Sequence, residues 1–503
     1  MKQNHDAKKK SRILGAFLVT LCISGALAAC GTADTADTPV TSMPQTEAVT
    51  EPAEVGNGRS DVADSLPDDL DFGGQTVRVL ARGGDIDVKT EFYAESTDGE
   101  VVNDAVFTRN EAVEERLNIQ METILQDYTR HKNLATEIRK SVTAGSDDFE
   151  LVADAMYNST TMMLEGMFLD LQSLDYLDFS QPWWNAAFLE TTSYEGRNYV
   201  CMGELSQTMI SGAFCIFFNK TMFNEYFPDD PSLYETVNAG EWTLDKLISY
   251  STPMYADLNG NGQADEYDRY GNYFRNQKFL GADAFMGGCN INLLEKNSDG
   301  SYTYNGNDER TVKFIEKMEQ LLFEDNNTLR WEYNDDTIMD GMLAGQVMFT
   351  PWMMTGVNSL RDMKDDYGII PMPKLDETQE DYNAFCHNGS TAFAIPTTED
   401  TPDTVAAFLE AMSAETYRVV TPAYFETALK GKYSRDDETS QMLDLIVDGI
   451  YLDITYIFSS VDVMRGILGD SASCGKAVST LAAKEKAFLK EMDKILQKYQ
   501  SLE

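Results

Sequence analysis

Hydrophobic and polar positions along this chain fall into two periods. Thr76-Val77-Arg78-Val79-Leu80-Ala81 follows the turn Phe72-Gly73-Gly74 and predicts a short strand. Behind it, Val102, Val106, Val113 and Leu117 recur at helical spacing, and Asn103 is the expected N-cap. Ile119 to Leu125 alternates as a strand does. Residues 131–144 read as a helix stopped by Gly145, and Phe149 to Ala153 as another strand. Strand, helix, strand, helix, strand within about 80 residues predicts βαβ units and a parallel sheet. Ligands on such sheets bind beyond the carboxyl ends of the strands. That rule puts Arg82 and its successors, and Asp154 to Tyr157, beside any cleft.

The second half continues the mixture. Ala213 to Phe218 is an apolar strand-like run. Glu241-Trp242-Thr243-Leu244 opens a helix through Tyr250, and Phe314, Ile315, Met318 and Leu322 mark another over 312–322. Val347 to Thr350 reads as a strand ending at Pro351-Trp352. Two further apolar runs close on proline, at 366–373 and 392–396. Residues 404–414 and 475–500 read as helices, the last with Lys and Glu on its outer face.

The first residues stand apart. Residues 1–12 are basic, Ile13 to Ala26 is apolar, and Leu27-Ala28-Ala29-Cys30 follows, so 1–29 read as a signal peptide. Small residues before Cys30 resemble the lipobox of bacterial lipoproteins, which makes Cys30 the expected lipidation site and membrane anchor. Cleavage beside an incidental cysteine is the alternative. Residues 31–66 hold no aromatic residue and are expected to form a disordered tether with a reach of roughly 30–36 Å. The remaining 437 residues exceed what one core normally supports, so two lobes are expected.

Charge narrows the partners. Without residues 1–29 the chain carries 35 basic and 82 acidic residues, a balance of −47. Such a surface argues against nucleic acid and against adsorption of the folded part to anionic lipid. Cys201, Cys215, Cys289, Cys386 and Cys474 are scattered and odd in number, which fits isolated buried thiols better than a disulfide framework. His131 and His387 are the only histidines after the signal, so a histidine zinc site is nearly excluded and a Ser-His or Cys-His nucleophile has few bases. No GxSxG, HExxH or phosphate-binding loop occurs. An enzyme is not expected.

Several stretches taken together resemble the sugar-binding lipoproteins of bacterial ABC transporters. They are Phe217-Phe218-Asn219-Lys220, Glu241-Trp242-Thr243-Leu244, Met342-Leu343-Ala344-Gly345-Gln346, Pro371-Met372-Pro373, Ala394-Ile395-Pro396 and the 401–412 helix, with Asn103-Asp104-Ala105-Val106 and Pro182-Trp183-Trp184 nearer the front. The order and spacing of these stretches over about 70–500 carry the resemblance. It implies an α/β, two-lobed, type II periplasmic-binding-protein-like fold that closes over its ligand. The expected lobes are 67–212 with 374–415, and 213–373 with 416–503, with crossings near 212–218 and 368–374. It further implies a monomer on the outer face of the cell membrane that captures a carbohydrate, an oligosaccharide above all, and delivers it to ABC permease subunits. A surface adhesion or scaffold lipoprotein, or a binder of another solute, is the alternative.

Within that frame two kinds of site residue stand out. Aromatic rings that can face a pyranose are Trp352, which the resemblance places in the cleft, then Trp183, Trp184, Tyr93 and Tyr157. Arg82, Asp154 and Asn388 are the polar candidates. Separately, Asp257, Asn259, Asn261, Gln263 through its carbonyl, Asp265 and Asp268 have the spacing of a calcium loop, with Gly262 at the sharp turn. A structural Ca²⁺ is expected there. Only one such loop exists, so a paired calcium sensor is not expected.

Overall fold

In the computed structural model the chain divides into two units, Met1–Val55 and Gly56–Glu503. The structure describes residues 58–83, 89–127, 133–275, 280–297, 300–331, 338–430, 437–458 and 464–502. Cys30 and the signal segment lie outside these residues.

Strand β1 (Gln75–Gly83) lies at the centre of a four-stranded sheet. It pairs in parallel with β2 (Ile119–Asp127) and β3 (Leu151–Ala155). The helices Val101–Leu117 and Asn133–Ala144 connect the three strands in βαβ fashion. The first cap differs from expectation: Glu100, not Asn103, is the N-cap and accepts from the Asn103 amide at 2.8 Å. Asn103 instead donates its side-chain amide to the Ser96 carbonyl. Asn118 and Gly145, both at positive φ, follow the two helices as expected of αL stops.

A second, five-stranded sheet contains β4 (Phe214–Asn219), β5 (Tyr270–Arg275), β8 (Thr328–Trp331), β9 (Val347–Met353) and β10 (Tyr367–Pro371), in the order β10-β4-β9-β5-β8. A small hairpin joins β6 (Leu294–Lys296) to β7 (Tyr302–Tyr304). β9 runs through Pro351 and Trp352 rather than stopping before them. Pro351 sits opposite Ile216 in the β4–β9 ladder. The last strand, β11 (Thr391–Ala394), returns to the first sheet and pairs antiparallel with β3.

The return to the first sheet comes later than the expected 368–374. Those residues lie in or beside β10, and Lys374 bridges Thr243. The indole of Trp242 donates to the Pro371 carbonyl at 3.0 Å. The change of sheet occurs at 384–391, where Cys386 bridges Ala213 and the Phe214 amide donates to the Phe385 carbonyl at 2.9 Å. The residues around Gly449 lie alongside, through the bridge of Ala384 with Ile450. Adjacent extended segments running between two sheets are where a hinge would lie.

The expected tether is too long at its folded end. Residues 58–66 are packed: Arg59 grips Glu204, Asp64 is bonded by Arg116 and Arg418, and Leu66 is buried. Composition hides this because ion pairs, not apolar area, hold the segment. All five cysteines after Cys30 are buried, unbridged thiols. Among the described residues no helix is long and apolar enough to cross a membrane.

Candidate functional site

The carboxyl ends of β1 and β3 meet the start of β11 and the short helix Gln207–Ser211 that leads into the hinge. These ends bring charged and hydroxyl groups into a buried cluster. Arg82, one residue before the end of β1, is 1% exposed, and Asp154 near the end of β3 is fully buried. Arg82 Nε lies 4.0 Å from Asp154 Oδ1, and Arg82 Nη2 donates to Thr391 Oγ1 at 2.7 Å. Asp154 Oδ1 accepts the Ala155 amide at 2.6 Å. Burial pushes the Asp154 carboxyl up to about 6, against the opposing pull of Arg82.

Two members of the cluster were invisible to pattern reading. Glu91, in the short helix Lys89–Phe92, is fully buried and accepts from Thr208 through both its amide (3.1 Å) and its hydroxyl (2.7 Å). Burial raises its carboxyl as well, and Arg82 again opposes the shift. Arg109 donates to the Glu91 carbonyl at 2.6 Å, to Asn110 Oδ1 and to Thr416 Oγ1 at 2.9 Å. Desolvation lowers its guanidinium to about 9. Neither residue belongs to a motif. What could have drawn attention is only that Glu and Arg are rarely buried without partners.

Among the described residues, Glu91 Oε2 and Asp154 Oδ2 accept no hydrogen bond. A buried carboxylate oxygen without a donor is costly. A cluster of this kind is suited to accept hydrogen bonds from hydroxyl or water donors.

The other expected site residues fall in several places. Tyr157 is the second residue of the helix Met156–Met163 just after β3 and is half-buried, and the preceding Met156 amide donates to the Ser390 carbonyl at 2.8 Å. Asn388 is half-buried on the hinge, its amide donating to Tyr456 Oη at 3.0 Å, while Phe385 stacks on Tyr456 with centroids 4.7 Å apart. Tyr93 is two residues past Glu91 and 43% exposed. Each of the three lies within three residues along the chain of a member of the cluster. Trp352 pairs with Cys215 in the β4–β9 ladder, two residues from the hinge residue Ala213. Its ring is 4% exposed and carries the Arg275 guanidinium at 4.9 Å. It belongs to the larger hydrophobic core cluster in this conformation.

Trp183 and Trp184 are about as buried as Trp352. Both are core side chains beside the helix Pro402–Glu415. The Trp184 indole donates to Glu410 at 3.1 Å, its ring packs edge-on against Phe179, and Trp183 lies 6.0 Å from the Tyr417 ring. The buried Glu410 carboxyl is pushed up to about 8 by desolvation. Gly203 is required beside them, because a Cβ there would meet the Trp183 carbonyl at 2.1 Å. A sequence cannot tell a tryptophan that serves a buried carboxyl from one that serves a ligand.

The loop 257–268 lies elsewhere, just before β5. Asp257 accepts the Gly260 and Gly262 amides at 2.6 and 2.7 Å, and both glycines have positive φ. Asn259 and Asn261 accept the amides two residues on. Asp268 is fully buried and accepts from the Leu258 and Asp265 amides and from Tyr255 Oη. Among the described residues the acidic trio close enough to share a cation is Asp147, Glu150 and Glu399, and the carboxylates of Asp257, Asp265 and Asp268 do not converge in that way. Asn259 and Asn261 turn their Nδ2 toward Asp265. A cation would need their oxygens, which already accept the Asn261 and Gln263 amides. The all-oxygen donor set suits a hard ion.

No family model and no curated protein matches this chain. Solved structures do. The galacto-N-biose/lacto-N-biose I-binding protein of the ABC transporter from Bifidobacterium longum matches with TM-score 0.55 and 12% identity, covering 84% of this chain and 98% of its own. A sugar transporter protein from Rhizobium etli, in an open conformation, matches with TM-score 0.53 and 14% identity, covering 82% and 99%. The GacH receptor of Streptomyces glaucescens, solved without ligand and with acarbose, matches with TM-score 0.51 and 13% identity, covering 83% and 99%. The fold is thus the two-lobed, type II fold of ABC-transporter solute-binding proteins.

Proposed function

We propose that this protein captures a carbohydrate, an oligosaccharide, between its two lobes and delivers it to the permease of an ABC importer. The observation that carries the reading is the junction itself: adjacent segments link the two sheets beside a polar cluster at the strand ends of the first. Movement about that junction would open the strand ends to a solute and close again over it. The carboxylate oxygens of Glu91 and Asp154 that lack donors would accept sugar hydroxyls, Arg82 would hold the two carboxyls in place, and Trp352 would offer a ring from the second sheet. The named ligands of the similar structures, lacto-N-biose and acarbose, support a carbohydrate. The role is binding rather than turnover, with the closed form as the species the permease recognises.

A lipid on Cys30 would keep the protein at the outer membrane face, where a monomer suffices. Calcium on Asp257, Asn259, Asn261, the Gln263 carbonyl, Asp265 and Asp268 would fix the loop ahead of β5 and neutralise part of its charge.

The test is a thermal-shift and calorimetric screen of the mature chain against maltodextrins, lacto-N-biose, acarbose and other glycans, with Ca²⁺ present. At least one glycan should raise Tm and bind stoichiometrically without being cleaved. A panel with no stabilising member, or release of shorter products, would overturn the reading.

A further inference from the structure

Residues 58–66 are the first described part of the chain, and they touch the molecule where the strand-end cluster is held from behind. Arg59 Nη1 donates to both Glu204 oxygens at 2.8 Å. The same guanidinium lies 4.3 Å over the Tyr417 ring and 5.8 Å from that of Phe425. Asp64 accepts two bonds from Arg116 and one from Arg418, each 2.8 Å, and Arg418 Nε donates to the Val62 carbonyl at 2.8 Å. Leu66 joins the core cluster that contains Trp183 and Phe393.

The residues gripped by this segment are chain neighbours of those that hold the cluster. Glu204 lies in the turn ahead of the helix Gln207–Ser211, and Gln207 donates to its carbonyl at 3.0 Å. The next residue, Thr208, binds Glu91 through amide and hydroxyl, and its hydroxyl accepts the Thr391 amide at 2.9 Å. Tyr417 and Arg418 lie in the π-helical turn Thr416–Val420. Thr416, the first residue of that turn, accepts from Arg109, which in turn donates to the Glu91 carbonyl. Turns of this type are wider than an α-helix and occur often where function needs an adjusted backbone.

We propose that residues 58–66 act as a positioning strap for the strand-end cluster: by holding Glu204 and Tyr417 they fix the two turns that carry Thr208 and Thr416, and through these the places of Glu91 and Arg109. Glu204 is 5% exposed, so losing Arg59 leaves a buried carboxyl without its cation, and the turn must move to hydrate it. The strap also makes the end of the N-terminal arm part of the binding lobe rather than an inert spacer.

Hydrogen exchange on the full mature chain tests this, comparing wild type with Arg59→Ala and Arg59→Lys. The Thr208 amide reports directly, because its partner is Glu91. In Arg59→Ala, amides at 208–212 and 416–420 should exchange roughly tenfold faster or more. Those of β5 and β8 in the other sheet should stay at wild-type rates, which also shows that the variant is folded. Arg59→Lys, which keeps charge but not the forked bond, should fall between. Faster exchange confined to 58–66, or acceleration equal in β5 and β8, would overturn the proposal. The measurement needs no ligand, so a failed glycan screen would leave its outcome unaffected.

Discussion

The loop 257–268 and the cluster around Arg82 both gather acidic side chains next to strand ends, and they are built in opposite ways. The loop 257–268 takes all its carboxylates and amides from twelve consecutive residues. Each finds backbone amides within a few residues, and most of the loop stays exposed. The cluster around Arg82 takes single residues from β1, the Lys89–Phe92 helix, β3, the Gln207–Ser211 helix and β11. Its carboxyls are buried, and two of their oxygens lack donors. The loop is satisfied by its own amides and by two tyrosines flanking it, Tyr255 and Tyr270. The cluster exists only once five segments have come together, and it is incomplete when they have.

The contrast can be attacked from its strongest point downward. Arg82→Ala leaves Asp154 and Glu91 buried without their cation and should cost about 3–5 kcal/mol in chemical denaturation. A loss under 1 kcal/mol would mean that the cluster is hydrated rather than closed. Next is Asp268→Ala in the loop. It removes the acceptor for two amides and a tyrosine and should cost about 1–3 kcal/mol without calcium. With calcium in excess, Asp257→Ala should remove a calcium-linked stabilisation of about 2.7 kcal/mol at one hundred times Kd. Equal calcium-induced Tm shifts in wild type and variant would eliminate the ion from this loop.

Two buried acids give a finer comparison, by pH. Glu410 is raised to about 8, so its neutral form favours the fold. Its contribution is full below the ordinary glutamate range and is lost as pH rises through about 8. The Tm advantage of Glu410→Gln over wild type should therefore grow from pH 5 to 8 and then level off. Asp64 goes the other way. Although burial works to raise it, hydrogen bonds from Arg116 and Arg418 hold its carboxyl far below the usual range. Its contribution is present above the ordinary aspartate range and fades as pH falls below it, so Asp64→Asn should cost stability at pH 7 and progressively less in acid.

Periodic features were legible in the sequence because their signal lies within one element. β1, β2 and the Val101–Leu117 helix emerge within a few residues of where spacing placed them, since the side chains that bury are the ones that set the period. The calcium-type loop was legible for a related reason: Asx turns and positive-φ glycines are local chemistry. The placing of Arg82 and Asp154 at strand ends came from a topological rule, not from anything in their own surroundings. The surroundings of Trp183 and Trp184 were not legible because burial against Glu410 depends on a helix more than 200 residues away. The ordered strap at 58–66 was missed because its composition is polar and its partners, Glu204, Arg116 and Arg418, are distant.

The amino-acid sequence by itself determined the elements, the likeness to sugar-binding receptors and the shape of the acidic loop. Each of these depends on residues near one another along the chain or on the order of short motifs. Tertiary structure alone decided that Glu91 and Arg109 join Arg82 and Asp154, that the sheets connect at 384–391, and that an acidic arm is clamped behind the cluster. Charge pairing and burial act through space, and a residue's partners are set only when the backbone has already closed around it.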